Sequence, residues 1–319
     1  CKYLYFPKFL RVVSHVPISI INTIICVWKL QPDLIMCVGG VYYNGVATVL
    51  ASNLFRKKNL VRTAEDHLAT SRLQSSIFRK IGHKVFIGPL SMLTLKTAQN
   101  VLTVGEQSRK YFIERGIKDD KIFYAISPIQ LNRFVSEPKI SKEKILLDSG
   151  MDKLKKTLLY VGAISEIKGT DYLPAIIRSI REKTDKWQFL VIGNETAYKN
   201  KITAELRKAG HHDIRILKPL AHEDLLSYYK AADVLVFLAR VGVGYGLVTI
   251  EAALAGCPVV CLDPKLDVAT LHPDSPKNIE ELVSVILSNQ YNVPDIYKLI
   301  DKDVCRKQHL DIIHRCIHA

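Results

Sequence analysis

Eight short runs with apolar centres, most of them followed by a helical stretch, constrain this 319-residue chain more than anything else in it. They are Asp33–Val38, Asn59–Arg62, Asn100–Val104, Lys121–Ile126, Thr157–Val161, Gln188–Ile192, Ile214–Leu217 and Asp233–Leu238. A run that is apolar at consecutive positions has no polar face to offer water, so as a strand it must be covered on both sides. Helices can supply that cover only when they are the crossovers between parallel strands. Helical stretches are expected at Val12–Trp28, Gly45–Phe55, Ser71–Ile81, the segment ending at Arg115, Glu223–Lys230, and the tail from Ile279. The implied class is α/β with parallel sheets.

A chain of this length exceeds what one core usually serves, and two domains of roughly 150 residues are expected. Between Val135 and Lys156 the composition shifts to Lys, Glu, Ser and Asp, with Pro138 and Gly150, which marks a joint. The expected organisation is a Rossmann-like domain over 1–136, a linker over 137–156, and a second Rossmann-like domain over 157–319 with a helical tail. Ligands of such sheets sit beyond the carboxyl ends of the strands. The loops after Val38, Arg62, Ile126, Val161, Ile192 and Leu238 are therefore expected to face one cleft.

The formal net charge of +14 suits phosphorylated ligands or an anionic membrane surface. Nucleic acid is not expected, since no aromatic-interleaved basic run and no zinc-finger spacing is present. Seven cysteines, an odd number without a CxxC pair and several of them in apolar runs, point to a reducing cytoplasm. Val12–Trp28 contains Ser, His, Pro and Asn and makes a poor membrane span. The expected location is cytoplasmic, with peripheral contact at the inner face of the membrane left open. Because the chain opens on Cys1 rather than Met, the first domain is expected to be incomplete at its start.

The stretch from Gly242 to Val260 carries the chemistry. Gly242, Gly244 and Gly246 remove side chains where a ligand could approach the backbone. The helix that follows offers free N–H groups and a positive dipole end to an anion, which makes the stretch a phosphate-site candidate. His211-His212-Asp213 resembles a metal cluster only superficially, because adjacent histidines do not converge on regular backbone, and a solvated turn is expected. Gly39-Gly40 after the first strand forms a candidate ligand loop, with Tyr42 and Tyr43 as stacking candidates or as parts of a simple turn.

Several motifs occur in one order: Val161-Gly162 and Lys168-Gly169 before a helix, Ile192-Gly193, Tyr228-Tyr229-x-x-Ala232-Asp233, and Gly244-Tyr245-Gly246-Leu247-Val248-x-x-Glu251-Ala252-x-x-Ala255-Gly256-x-Pro258-Val259-Val260. This order resembles the C-terminal half of the GT-B-fold retaining glycosyltransferases of family 4, over about residues 100 to 265. The resemblance implies two Rossmann-like domains facing a cleft and transfer of a hexose, with retention, from a nucleotide-diphosphate sugar to a glycan or lipid-linked acceptor. No cofactor or metal is implied. The donor belongs to the C-terminal domain and the acceptor largely to the N-terminal one.

Residue by residue, the resemblance implies that Glu251 accepts from two ribose hydroxyls. The amides of Gly246, Leu247 and Val248 meet the distal phosphate. Lys168 neutralises charge on the leaving diphosphate, and Gly162, Gly193 and Tyr245 complete the donor side. Asp66 and His67 end a strand where the family often places a group near sugar or acceptor; a helix cap explains the same pair. Two positions depart from the pattern: Ala163 replaces an arginine and Val243 replaces a first glutamate. Arg240, in the same loop as Val243, is a candidate replacement cation. These departures leave open a non-catalytic homologue that binds nucleotide or supports a partner subunit. A nucleotide-sugar epimerase or sugar phosphorylase on the same frame is a further alternative, for which only Asp66 and His67 are available as acid and base.

Overall fold

The computed structural model describes residues 8–63, 81–126, 140–193, 199–210, 212–240, 246–262, 276–289, 291, 293 and 302–318. The chain divides into two units, Cys1–Ala125 with Arg306–Ala319, and Ile126–Cys305.

In the first unit the chain runs through α1 (Lys8–Leu30), β1 (Leu34–Val38), α2 (Val46–Phe55), β2 (Lys58–Arg62), α3 (Gly88–Thr97), β3 (Asn100–Thr103), α4 (Glu106–Ile113) and β4 (Ile122–Tyr124). The four strands pair in parallel in the order β1-β2-β3-β4. Cys37, Val61, Val101 and Ile122 project to one face and pack with Val49, Leu95 and Phe112 from the helices. Leu60 and Leu102 project to the other, as the two-residue period of a strand requires. No helix among the described residues is long and apolar enough to cross a membrane.

The second unit contains α5 (Lys142–Asp148), β5 (Lys156–Val161), α6 (Leu173–Lys183), β6 (Trp187–Ile192), α7 (Lys199–Gly210), β7 (Ile214–Leu217), α8 (His222–Ala231), β8 (Val234–Phe237), α9 (Leu247–Leu254), β9 (Val259–Cys261) and α10 (Ile279–Ser288). Its five strands are parallel in the order β7-β6-β5-β8-β9. All six residues of β6 are buried, the expected state of a strand with helices on both faces. Leu159, Leu190, Leu235 and Val259 point to the face covered by α8 and α9. Leu158, Phe189, Val236 and Val260 point to the face covered by α6, α7 and α10.

The division falls elsewhere than the composition shift suggests. Within 137–156, α5 is capped by Ser141, whose side chain accepts from the Lys144 N–H, and it buries Ile145 and Leu146. Gln188 then holds the next turn by accepting from Asp152 N at 2.9 Å and donating to Asp152 O at 2.7 Å. The segment is therefore part of the second unit. At the other end, the last helix, α11 (Lys302–His318), is shared: Arg306–Ala319 counts with the first unit. There Ile312 and Cys316 close the sheet face formed by Leu60, Leu102 and Ala125. All six cysteines among the described residues are free thiols, and five are buried.

Leu159 is wholly buried at the centre of β5 whereas Leu154 is 85% exposed. Leu159→Ala should cost about 2–5 kcal/mol of stability, and Leu154→Ala should stay within about 0.5 kcal/mol, as read from urea denaturation followed by circular dichroism.

Candidate functional site

The order β7-β6-β5-β8-β9 places a topological switch between β5 and β8, because the chain leaves β5 toward β6 and leaves β8 toward β9. Loops at such a point part in opposite directions and open a crevice at the carboxyl ends of the strands. The loop after β5 carries Gly162 and Lys168, and the loop after β8 carries Arg240 and Gly246 before α9. These sequence-selected residues are thus brought to one end of one sheet. Gly193 ends β6, where its N–H donates to Leu217 O at 3.2 Å. Asp66, His67, Tyr245 and Val243 lie outside the described residues.

The Lys168 loop is built from backbone contacts. Ser165 O accepts from Lys168 N at 3.1 Å, and Glu166 O accepts from Gly169 N at 3.0 Å, forming a short 3-10 turn at Glu166–Lys168. Gly169 adopts φ +67°, and a Cβ there would lie 1.9 Å from Leu238 O. Only glycine can pass so close to the neighbouring loop in that conformation. The buried Tyr160 hydroxyl lies 3.2 Å from Ala163 O and 3.4 Å from Lys168 O, so its single proton serves carbonyls at both ends of the loop. Burial, reinforced by nearby Asp171, pushes the Tyr160 phenol up and keeps it neutral. The Lys168 side chain itself is exposed.

Arg240 ties this loop to the one after β8. Its N–H donates to Ile167 O at 3.1 Å, and its guanidinium pairs with Asp171, lies 3.7 Å from Glu166, and sits 4.2 Å from the centre of the Tyr172 ring. The charge expected to serve a diphosphate is engaged by two carboxylates of the Lys168 loop and the turn after it. Burial is the largest single influence on Arg240 and works against its charge, but Asp171 and Tyr172 together outweigh it, so the guanidinium loses a proton less readily than an ordinary one.

Helix α9 begins after Gly246, whose carbonyl accepts from both Thr249 N at 3.0 Å and Thr249 Oγ1 at 2.9 Å. The first amides of a helix have no intrahelical acceptor, so those of Leu247 and Val248 point away from the turns that follow. Leu247 is exposed and Val248 half-buried. The helix stops at Gly256, φ +82°, where Gly256 N donates to Ala253 O and Cys257 N donates to Ala252 O, the paired bonds of a Schellman ending.

Glu251 lies one turn into α9 and is 3% exposed. Tyr229 Oη donates to its Oε2 at 2.9 Å, and His222 Nε2 lies 3.3 Å from its Oε1. Burial raises the Glu251 carboxyl above the ordinary carboxylate range, while the Tyr229 hydrogen bond and the His222 charge work against that rise. Tyr229 stands within a motif singled out in the sequence; nothing in the sequence marks His222, which meets Glu251 only because α8 and α9 pack together. The chemistry contrasts with Asp213, which Lys155 and Arg181 pair at 2.7 and 3.0 Å as a structural cross-link. In the first unit, Tyr42 and Tyr43 stack edge to face, 4.7 Å between ring centres.

Because any side chain at residue 169 meets Leu238 O, Gly169→Ala should destabilise the second unit by at least about 1–2 kcal/mol from the left-handed backbone alone. Thermal unfolding measures this, and hydrogen exchange should show faster exchange at the amides of Lys168–Thr170.

Comparison with known proteins bears on this unit first. Residues 155–284 match the family glycosyl transferases group 1. A stretch of 140 residues is 31% identical to the lipopolysaccharide core biosynthesis mannosyltransferase LpsB of Rhizobium meliloti (strain 1021), covering 42% of this chain and 38% of that protein. The chain therefore spans well under half the length of that curated relative. Among solved structures, Anabaena Alr3699/HepE in complex with UDP has a TM-score of 0.73 at 15% identity, over 93% of this chain and 82% of that one. Sucrose-phosphate synthase from Thermosynechococcus elongatus has a TM-score of 0.75 at 16% identity, over 98% and 80%. At these identities the likeness is one of fold. The chain has the α/β GT-B fold of two Rossmann-like domains, and its second unit carries the segment that matches the glycosyl transferases group 1.

Proposed function

We propose that the second unit binds a nucleotide-diphosphate sugar and that the protein is a retaining glycosyltransferase moving a hexose to a glycan or lipid-linked acceptor. The observation that carries this reading is Glu251, a carboxylate buried one turn inside the helix that starts beside the switch point. A carboxylate kept from water, with no lysine or arginine on it among the described residues, suits a neutral ligand rich in hydroxyl groups, and a ribose diol is such a ligand. The matched family segment and the UDP found in the HepE complex support the same donor class.

In this reading Glu251 accepts from the ribose, and the amides of Gly246, Leu247 and Val248 meet the distal phosphate at the helix start. Gly162, Gly193 and Tyr245 complete the donor side. Lys168 stabilises the charge that builds on the diphosphate as the bond from the anomeric carbon to the phosphate oxygen breaks. The electron pair of that bond leaves with the diphosphate, and the acceptor hydroxyl attacks from the same face, passing its proton to the departing phosphate oxygen. Asp66 and His67 are assigned to the acceptor side. The proposed chemistry calls for no metal or cofactor. The proposed location is cytoplasmic, with an anionic membrane as a peripheral contact and no nucleic-acid partner.

One observation favours a second reading, a homologue that binds nucleotide without transferring sugar. Ala163 stands where the family pattern has an arginine, and Arg240, the candidate replacement, is engaged by Asp171 and Glu166. Calorimetric titration with UDP and GDP beside a donor-hydrolysis and transfer assay separates the two, since binding with neither hydrolysis nor transfer selects the second.

For an active enzyme, Lys168→Ala should lower kcat on the order of 100-fold or more, the usual effect of removing one such charge-stabilising group, with a smaller change in UDP affinity. Glu251→Ala should instead weaken UDP binding by roughly 10-fold or more, the effect of losing a charged hydrogen bond. Equal losses of affinity in both variants would overturn these roles.

A further inference from the structure

Tyr229 and His222 have no place in the chemistry above, yet among the described residues they are the two polar side chains that contact the Glu251 carboxylate. Tyr229 is wholly buried, and its hydroxyl donates to Oε2 at 2.9 Å. His222, at the first position of α8, has a side chain 49% exposed and sits 3.3 Å from Oε1. Each oxygen of the carboxylate thus has one partner among the described residues. An ionised carboxylate accepts about four hydrogen bonds, whereas a protonated one spends an oxygen as a donor. Two partners on the ionised group leave acceptor capacity on both oxygens, which is what two vicinal hydroxyls require.

We propose that Tyr229 and His222 are positioning residues for nucleotide binding: held between them, the Glu251 carboxylate is kept ionised and oriented, with capacity on both oxygens for a vicinal diol. The inference rests on the reading of Glu251 as the ribose acceptor. Physically, burial favours the neutral acid and these two partners oppose it. The opposition matters because, among the described residues, no lysine or arginine does the same. The other titratable groups near α9 do not take over this role. Cys257 and Cys261 are thiols that burial pushes up, Cys257 to about 12, so both are neutral. Glu223 and Asp224 are exposed acids in the first turn of α8.

The sign follows from the ionised form being the binding form. Glu251 has a raised pKa, so affinity is full above it and is lost as pH falls through it. Removing Tyr229 Oη removes an interaction that lowers this pKa, so the loss moves to higher pH. Removing the His222 charge has the same sign.

UDP affinity measured by calorimetry from pH 5 to 8, on the full chain, tests this with Tyr229→Phe, His222→Gln and Glu251→Gln. The ionisation of UDP is common to all four proteins and cancels in the comparison. Tyr229→Phe is expected to bind within about twofold of wild type at pH 8 and several-fold more weakly at pH 5.5, a midpoint shifted upward. His222→Gln is expected to shift in the same direction by less, because its side chain is half-exposed and better screened. Since that side chain is on the surface, this variant carries the test should Tyr229→Phe not fold. Profiles of both variants that superimpose on wild type, with Glu251→Gln impaired at every pH, overturn the positioning role and leave the ribose reading standing. A shift in one variant alone assigns the role to that residue and overturns it for the other. Wild-type affinity in Glu251→Gln overturns the ribose reading itself.

Discussion

The second unit depends on β5 pairing on both sides with strands the chain reaches in opposite directions. Its register with β6 runs from Lys156↔Trp187 to Val161↔Ile192, and its register with β8 sets Leu158 beside Val234 and Leu159 beside Leu235. A strand in this position cannot have its following loop covered by the connection of its other neighbour, because the two crossovers lie on opposite faces. That constraint frees the ends of β5 and β8 together. It leaves the loops themselves to be held by other means, and the structure shows these: Gly169 against Leu238 O, Arg240 across to Asp171 and Ile167 O, and Tyr160 beneath the Lys168 turn.

Acidic groups in this unit fall into two chemical kinds. Asp213 is paired by Lys155 and Arg181. Asp233 accepts from Thr157 N at 2.7 Å and pairs with Lys142 at 3.3 Å. Both join separate elements. Glu251 is more deeply buried than either and has, among the described residues, a phenol and an imidazole against it. A neutral phenol lowers the cost of burying charge less than a guanidinium does, so this carboxylate is held at an energetic disadvantage. Charge placement, more than residue type, distinguishes the site from the scaffold.

The strands and the helices between them were readable because a doubly covered parallel strand must be apolar at consecutive positions. Asn59–Arg62, Gln188–Ile192 and Ile214–Leu217 coincide with strands to within a residue. The joint was not readable by the same logic. Residues 142–148 are polar enough to resemble a linker, yet Ile145 and Leu146 anchor a helix whose other residues face water. The tail was misplaced for a related reason: Ile312 and Cys316 mark a helix with an apolar side but do not say which sheet it covers. Among the candidate site residues, Gly246 and Glu251 stood out because a glycine before a helix and a lone carboxylate in an apolar one are conspicuous, whereas Gly162 and Lys168 were selected by the order of motifs that carries the family resemblance. His222 was invisible, since an exposed histidine at the start of a helix resembles any other.

By itself the amino-acid sequence determined the α/β class, the parallel strands, the glycine positions and the candidate carboxylate, all set by local periodicity and by the backbone freedom of particular residues. Tertiary structure alone decided that the chain's last helix returns to the first unit, that Arg240 is committed to Asp171, and that Glu251 lies between Tyr229 and His222. The physical reason is the same in each case. Local sequence sets which groups a segment presents, but the partner of a charge or an apolar face is chosen by packing between elements far apart in the chain, here 22 residues from Tyr229 to Glu251 and 69 from Asp171 to Arg240.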